Sequence, residues 1–157
     1  MALSLLNLDI TPERGNAALL PNQPILQGCV VSSSEEATLV PGDVVTLASG
    51  GVDDTIVVKK AAVTDTPCGV VVGNAIKTGF VAGDRVSIFV DNSFVYMQTG
   101  AANIARGAKL QFNSSHKVVA TDTATSSYIG IAWNSQATSG GLIIVQVKPE
   151  AAATSST

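Results

Sequence analysis

The sequence is poor in charged and aromatic side chains. Charged residues make up 13% of the 157 and aromatic residues 4%, while hydrophobic residues reach 46%. The charged share is roughly half of the about 25% typical of soluble proteins. The surface must therefore carry much Ala, Val, Thr and Ser, and we expect partners to cover it. Nine scattered basic residues and a net charge of −3 provide no phosphate-binding patch, so nucleic acid is not an expected partner.

Long apolar runs are also missing. The runs at 69–72 and 142–145 are only four residues long, far short of the roughly 20 residues of a membrane span, so no membrane association is expected. The N-terminus lacks a basic start and a sustained apolar stretch, and Asp9 interrupts it early, which predicts synthesis and residence in the cytoplasm. In that compartment Cys29 and Cys68 are expected to be reduced and buried, with a disulfide as the alternative.

Sets of catalytic or metal-binding residues are not found. His116 is the only histidine, so one chain can build neither a catalytic triad with a spare base nor a multi-histidine metal site. It follows the polar turn 113–115, which predicts a solvated loop histidine. The acidic pairs 35–36 and 53–54 are adjacent residues, which point to opposite faces of a strand. We expect no enzyme, no cofactor and no metal.

Short β-branched runs separated by Gly, Asp, Asn, Ser and Pro predict an all-β body from Ile25 onward. Alternation within 84–90 places Val86, Ile88 and Val90 on one face. The polar residues 91–93 predict a hairpin over 84–98. Trp133 is predicted as a half-buried core residue at a strand end. The ten predicted strands are 26–32, 43–48, 55–62, 69–74, 84–90, 94–98, 109–112, 117–121, 129–133 and 142–148.

An internal repeat organises these strands. The segments LVPGDVVTL (39–47), FVAGDRVSIFV (80–90) and IARGAKLQF (104–112) share a glycine turn before a strand. Glycine accepts a positive φ and Asp bonds nearby backbone, so each turn begins a strand with little strain. The segments 57–74 and 117–134 form a second pair, which indicates two variations of one β layout. The predicted structural turn residues are Gly42, Asp43, Gly83, Asp84 and Gly107.

The ends differ from the body. Residues 1–28 contain three prolines and no sustained period, which predicts an extended arm, with a short helix over 2–8 as the alternative. Its apolar side chains need cover from the chain itself or from a neighbour. The predicted partner or oligomer contacts on this arm are Leu3, Leu5, Leu6, Leu8, Ile10, Leu19 and Leu20. Residues 29–149 form the predicted single barrel or sandwich-like domain, and 150–157 a flexible tail.

Together these segments resemble a known family. VPGDVVTL, TDTPCGVVVGN, VAGDRVSIFV, ARGAKLQF, YIGIAWN and GLIIVQVKP are similar, over residues 38–148, to the capsid cement (decoration) proteins of tailed bacteriophages. The resemblance implies a structural virion protein on the outer capsid surface that braces adjacent subunits. Its implied partners are the major capsid protein and its own copies, as a homotrimer.

Two other functions stay open. The chain can be another phage structural component, such as a head fibre base, a tail tube or a minor shell protein. A carbohydrate-binding β module is the alternative from a different class. That function needs a cluster of exposed aromatic side chains, which the sequence does not reveal.

Overall fold

The computed structural model describes residues 13–19, 23–50, 55–73, 77–120 and 126–152. This part of the chain is built from strands without a helix, and therefore without a helix that could span a membrane. The predicted all-β class is confirmed, and all ten predicted strands are found. They are β1 (Ile25–Val31), β2 (Val44–Leu47), β3 (Val57–Lys60), β4 (Gly69–Val71), β5 (Arg85–Phe89), β6 (Phe94–Gln98), β7 (Lys109–Phe112), β8 (Val118–Val119), β9 (Tyr128–Ala132) and β10 (Leu142–Glu150).

The first five strands, here called half 1, close into a barrel in the order β1-β3-β2-β4-β5. The β1–β3 pair is parallel, and the other pairs are antiparallel. Val86 and Ile88 are buried inside this barrel, and Val90 packs against the same cluster, so the predicted alternation of β5 is confirmed.

The last five strands, here called half 2, repeat this layout. Their sheet has the order β6-β10-β9-β7-β8, and its two edges approach each other in a parallel bridge between Thr99 and Val118. The Gly100 N–H donates to the Val118 carbonyl at 2.8 Å, as the Ser32 N–H donates to the Val58 carbonyl in half 1. The repeat seen in the sequence is thus a duplicated five-strand barrel topology.

The strand pairs identify equivalent residues in the two halves. Val44 pairs with Val70 in half 1, and Lys109 pairs with Ile131 at the same place in half 2. Gly69 and its counterpart Gly130 each lie where a Cβ would collide with a neighbouring backbone carbonyl. This close approach of strands explains why both apolar strands carry glycine.

The predicted turn glycines take left-handed backbone conformations. The φ angles of Gly42, Gly83 and Gly107 are 83°, 85° and 84°, and β2, β5 and β7 each begin two residues later. The carboxylates of Asp43 and Asp84 accept from the N–H groups of Val40 and Val81, at 3.0 and 2.7 Å. Gly140, with a φ of 82°, makes a fourth such turn before β10.

The predicted hairpin over 84–98 is wrong. β5 pairs with β1 and β4, whereas β6 pairs with β10. In the connection between them, the Asn92 N–H donates to the Val147 carbonyl, and the Ser93 carbonyl accepts from the Val147 N–H, both at 2.8 Å. This short connection therefore links the halves rather than folding β6 back onto β5.

The halves share a continuous core. Val44, Ala61, Val70 and Phe89 of half 1 are nearly fully buried in one cluster with residues of half 2. The half-2 members of that cluster are Val95, Met97, Ile104, Leu110, Phe112, Val118, Ile129, Ala132, Ile143, Val145 and Val147. The outer side of the first barrel is thus a packing surface for the second.

Candidate assembly surfaces

The described part of the arm lies along β6 of its own chain. Ala17 bridges Val95 in antiparallel orientation. The Gly15 N–H donates to the Tyr96 carbonyl at 2.8 Å, and the Tyr96 N–H donates to the Asn16 carbonyl at 3.0 Å. These bonds extend the edge of the second sheet, as a strand added to a sheet does.

One of the seven predicted arm contacts, Leu19, lies within the described residues. Leu19 is 53% exposed and has a φ of 66°, so its side chain is available to a partner. The remaining predicted contacts lie outside the described residues: Leu3, Leu5, Leu6, Leu8, Ile10 and Leu20.

An ion-pair network ties the arm to the first barrel. Arg14 Nη2 lies 2.6 Å from Asp43 Oδ1, and Lys60 Nζ lies 3.2 Å from Asp43 Oδ2. The Asp43 side chain is 2% exposed, and a buried carboxylate of this kind needs such partners. Sequence reasoning identified Asp43 as a turn residue but missed its cations, since they come from positions 29 residues before and 17 residues after it.

His116 lies at the junction of the two halves. The predicted solvated position is wrong, because the side chain is 2% exposed. Its Nδ1 accepts the Val44 N–H at 2.8 Å, from a residue 72 positions earlier. Its ring also contacts the ring of Phe112, with centroids 5.7 Å apart.

Burial of His116 favours its neutral form. Desolvation is the main cause that lowers its pKa to about 4. Nearby Lys60 and Arg14 lower the pKa further, whereas Asp43 and Glu35 oppose this effect. The neutral ring is also the form that can accept the Val44 N–H, because both nitrogens of a charged imidazole are donors.

The two cysteines are free thiols, as expected, but only Cys29 is buried and Cys68 is half-buried. Burial raises the pKa of Cys29, and it raises the pKa of Cys68 to about 11. Both thiols therefore stay protonated at neutral pH, which makes them poor nucleophiles. Within the described ranges, no group of three or more His, Cys, Asp and Glu side chains is arranged to hold a metal ion.

The aromatic side chains outside the core gather on the outer side of the second sheet. Phe94 and Tyr96 alternate along β6 with the buried Val95 and Met97. Trp133 is 40% exposed and meets Phe94 edge to face, with centroids 5.0 Å apart. It therefore lies on this outer side and not in the core, where the sequence placed it. Tyr128 follows on β9.

Lys109 joins this aromatic surface. Its Nζ lies 4.1 Å from the centroid of the Tyr128 ring and 2.7 Å from Glu150 Oε2. The contact of Lys109 with the Tyr128 ring is a cation–π interaction, and aromatic side chains such as the 40% exposed Trp133 are enriched at protein interfaces. Sequence reasoning found no aromatic cluster, because only the strand register brings together residues spread over 40 positions.

Both halves are similar to known phage proteins. The model of a family described as phage cement protein matches residues 27–148, which run from β1 to β10. This chain belongs to the phage cement protein family. It is accordingly a phage structural protein and a component of the virion, and the family suggests a role without catalysis.

One solved structure supports the fold. The head fiber gp8.5 N base of bacteriophage phi29 matches with a TM-score of 0.55 and 18% identity. The match covers 81% of this chain and 97% of that chain. A search of curated proteins found no match.

Proposed function

We propose that this cement protein binds the outer surface of the assembled capsid as a homotrimer and stabilises it by bridging major capsid protein subunits. The single observation that carries the proposal is the family match across residues 27–148. The low charge and the half-exposed aromatic surface agree with it, because such surfaces favour protein partners.

The arm is the proposed contact with the capsid. Residues 13–19 are held by backbone bonds to β6 and by the Arg14–Asp43 ion pair. The sequence before Glu13 carries Leu3, Leu5, Leu6, Leu8 and Ile10. Burial of these side chains against capsid subunits would contribute to affinity in proportion to the apolar area removed from water.

The test is co-sedimentation of the purified protein with capsids that lack it. We expect the full chain to pellet with the capsids and a chain without residues 2–12 to remain in the supernatant. This deletion keeps Arg14 and the bridge of Ala17, so thermal unfolding of the free protein should not change. A chain without residues 153–157 is the control, which should still bind.

Two results would contradict this assignment. Binding of the 2–12 deletion at wild-type levels would remove the arm from the contact. Failure of the full chain to bind any capsid would refute capsid binding itself.

The base of a head fibre is the second candidate function. The likeness of the fold to the phi29 head fibre base favours it over a tail tube or minor shell protein. Cryo-electron microscopy of the virion separates the two candidates. A cement protein covers the shell at regular sites without a projecting shaft, whereas a fibre base carries one.

A further inference from the structure

The two halves meet through surfaces of different kinds. On half 1 the contact is the outer side of the barrel, here called the half-1 face: Val44, Val70, Val72 and Phe89. Three of these residues are at most 1% exposed, and Val72 packs against the shared cluster. The half-1 face is therefore closed by half 2.

On half 2 the contact includes a barrel end, here called the half-2 end: Phe112 and His116. Both side chains are 2% exposed. His116 Nδ1 accepts the Val44 N–H at 2.8 Å, which places this end directly against the half-1 face. The contact is thus a face of one barrel against an end of the other.

The duplicated face is open. Register places Lys109 and Ile131 of half 2 where Val44 and Val70 lie in half 1. Trp133 lies two residues after Ile131, as Val72 lies two residues after Val70, so Trp133 is the counterpart of Val72. Gln146 pairs with Ile131 as Phe89 pairs with Val70, so it is the counterpart of Phe89. The half-2 face consists of Lys109, Ile131, Trp133 and Gln146. Trp133 is 40% exposed, Lys109 is exposed and Ile131 is half-buried.

The duplicated end is open as well. Leu47 pairs with Val58 as Phe112 pairs with Val118, so Leu47 is the counterpart of Phe112. Ile56 lies two residues before Val58, as His116 does before Val118. Leu47 is 62% exposed and Ile56 is 37% exposed. Leu47 and Ile56 form the half-1 end.

We propose that the half-2 face of one copy packs against the half-1 end of a second copy, repeating between chains the contact made within one chain. The two open surfaces are the counterparts of the two closed ones. Ile56 has no acceptor to replace the imidazole of His116, so this contact joins Ile131 and Trp133 to Leu47 and Ile56 through apolar burial.

Such an interface is heterologous, because different surfaces of each copy meet. Repetition of a heterologous contact around a rotation axis gives a closed ring. Three chains would form a ring of six barrels. The inference rests on the proposed homotrimer for this number and identifies the surfaces that hold it together.

The test uses one substitution on each surface. Leu47→Asp places a charge on the half-1 end, and Trp133→Asp places a charge on the half-2 face, so each substitution disrupts one of the two surfaces. Each variant alone should be monomeric in sedimentation equilibrium, with self-association weakened at least about thirty-fold, as expected for an interface hot spot. Mixed in equal amounts, they should form a dimer, because the Leu47→Asp chain retains an intact face and the Trp133→Asp chain an intact end.

The mixture also shows that both variants are folded, since an unfolded chain could not restore the contact. Val81→Asp is the matched control. Val81 is 54% exposed and lies two residues before Gly83. Thr138, two residues before Gly140 in half 2, is exposed as well, so this position lies outside the proposed contact. This variant should assemble as the wild type does.

Two outcomes would overturn the proposal: single variants that assemble like the wild type, or a mixture that stays monomeric. Neither outcome bears on capsid binding, which co-sedimentation measures separately. A trimer that survives both substitutions would leave the homotrimer intact and reject these surfaces.

Discussion

His116 should make the stability of this protein fall in mild acid. Its buried Nδ1 accepts the Val44 N–H, and its pKa is lowered from 6.5 to about 4 by burial. The unfolded chain therefore binds a proton at a higher pH than the folded chain does. Stability from this group is complete above pH 6.5 and declines as pH falls toward 4.

The size of the effect follows from these two pKa values. Proton linkage gives a loss of about 2 kcal/mol at pH 5 and about 3 kcal/mol at pH 4, relative to pH 8. These losses are a large share of the roughly 5–15 kcal/mol that stabilises a typical domain. Since His116 joins the halves, its protonation should weaken the junction first.

The assay is urea unfolding of the wild type and of His116→Gln between pH 8 and pH 4. A glutamine oxygen can accept the Val44 N–H but does not titrate in this range. The free energy of unfolding should fall more steeply below pH 6.5 in the wild type than in the variant. Because His116 is the only histidine, equal slopes in the two proteins would show that burial of His116 does not lower its pKa.

Two further predictions concern the ion network and the glycine strands. Asp43→Asn should lower the free energy of unfolding by about 2 kcal/mol, because it leaves Arg14 and Lys60 without their carboxylate. Asp84→Asn, in the Gly83-Asp84 turn where the carboxylate is 25% exposed, should cost less, and an equal loss in the two variants would contradict the role of the network. Gly69→Ala and Gly130→Ala should each cost about 1–3 kcal/mol through collision with a neighbouring carbonyl. Unchanged urea midpoints in both would refute the close approach.

The strands and turns could be predicted because local residue chemistry determines them. β-branched runs bounded by glycine and polar residues located all ten strands, and β6 and β7 begin and end at the predicted residues. The turns at Gly42, Gly83 and Gly107 carry the positive φ that their sequence favours.

Strand partners could not be predicted in the same way. Alternation in β5 indicates which side chains share a face, but it contains no information on which strand lies beside it. The connection at 91–93 has the composition of a hairpin turn, yet Asn92 and Ser93 bond to Val147. A hairpin turn and a link between two barrels can therefore have the same residue composition.

The burial of His116 could not be predicted from the sequence for a related reason. Its neighbours along the chain are polar, and Asn113 Oδ1 accepts the Ser115 and Lys117 N–H groups within the turn. The partner that makes the histidine part of the core is Val44, which the fold of the other half supplies. Contacts between distant positions of this kind leave no local signal.

The aromatic surface has a similar origin and bears on function. Phe94, Tyr96, Tyr128 and Trp133 are too dispersed in sequence to suggest a cluster, but register brings them to one side of the second sheet. A carbohydrate-binding module would need such a surface. The family match favours a protein partner. The half-1 face, which is the counterpart of this surface, buries its apolar side chains against the protein's own second half, and this also favours a protein partner.

Heat-induced release of DNA from virions measures whether this protein stabilises the capsid from outside. Particles that lack the protein should release DNA at a lower temperature than wild-type particles. Addition of the purified full chain to intact particles should restore the higher temperature, because the chain reaches its sites from outside. A release temperature that is the same with and without the protein would show that the protein does not stabilise the capsid.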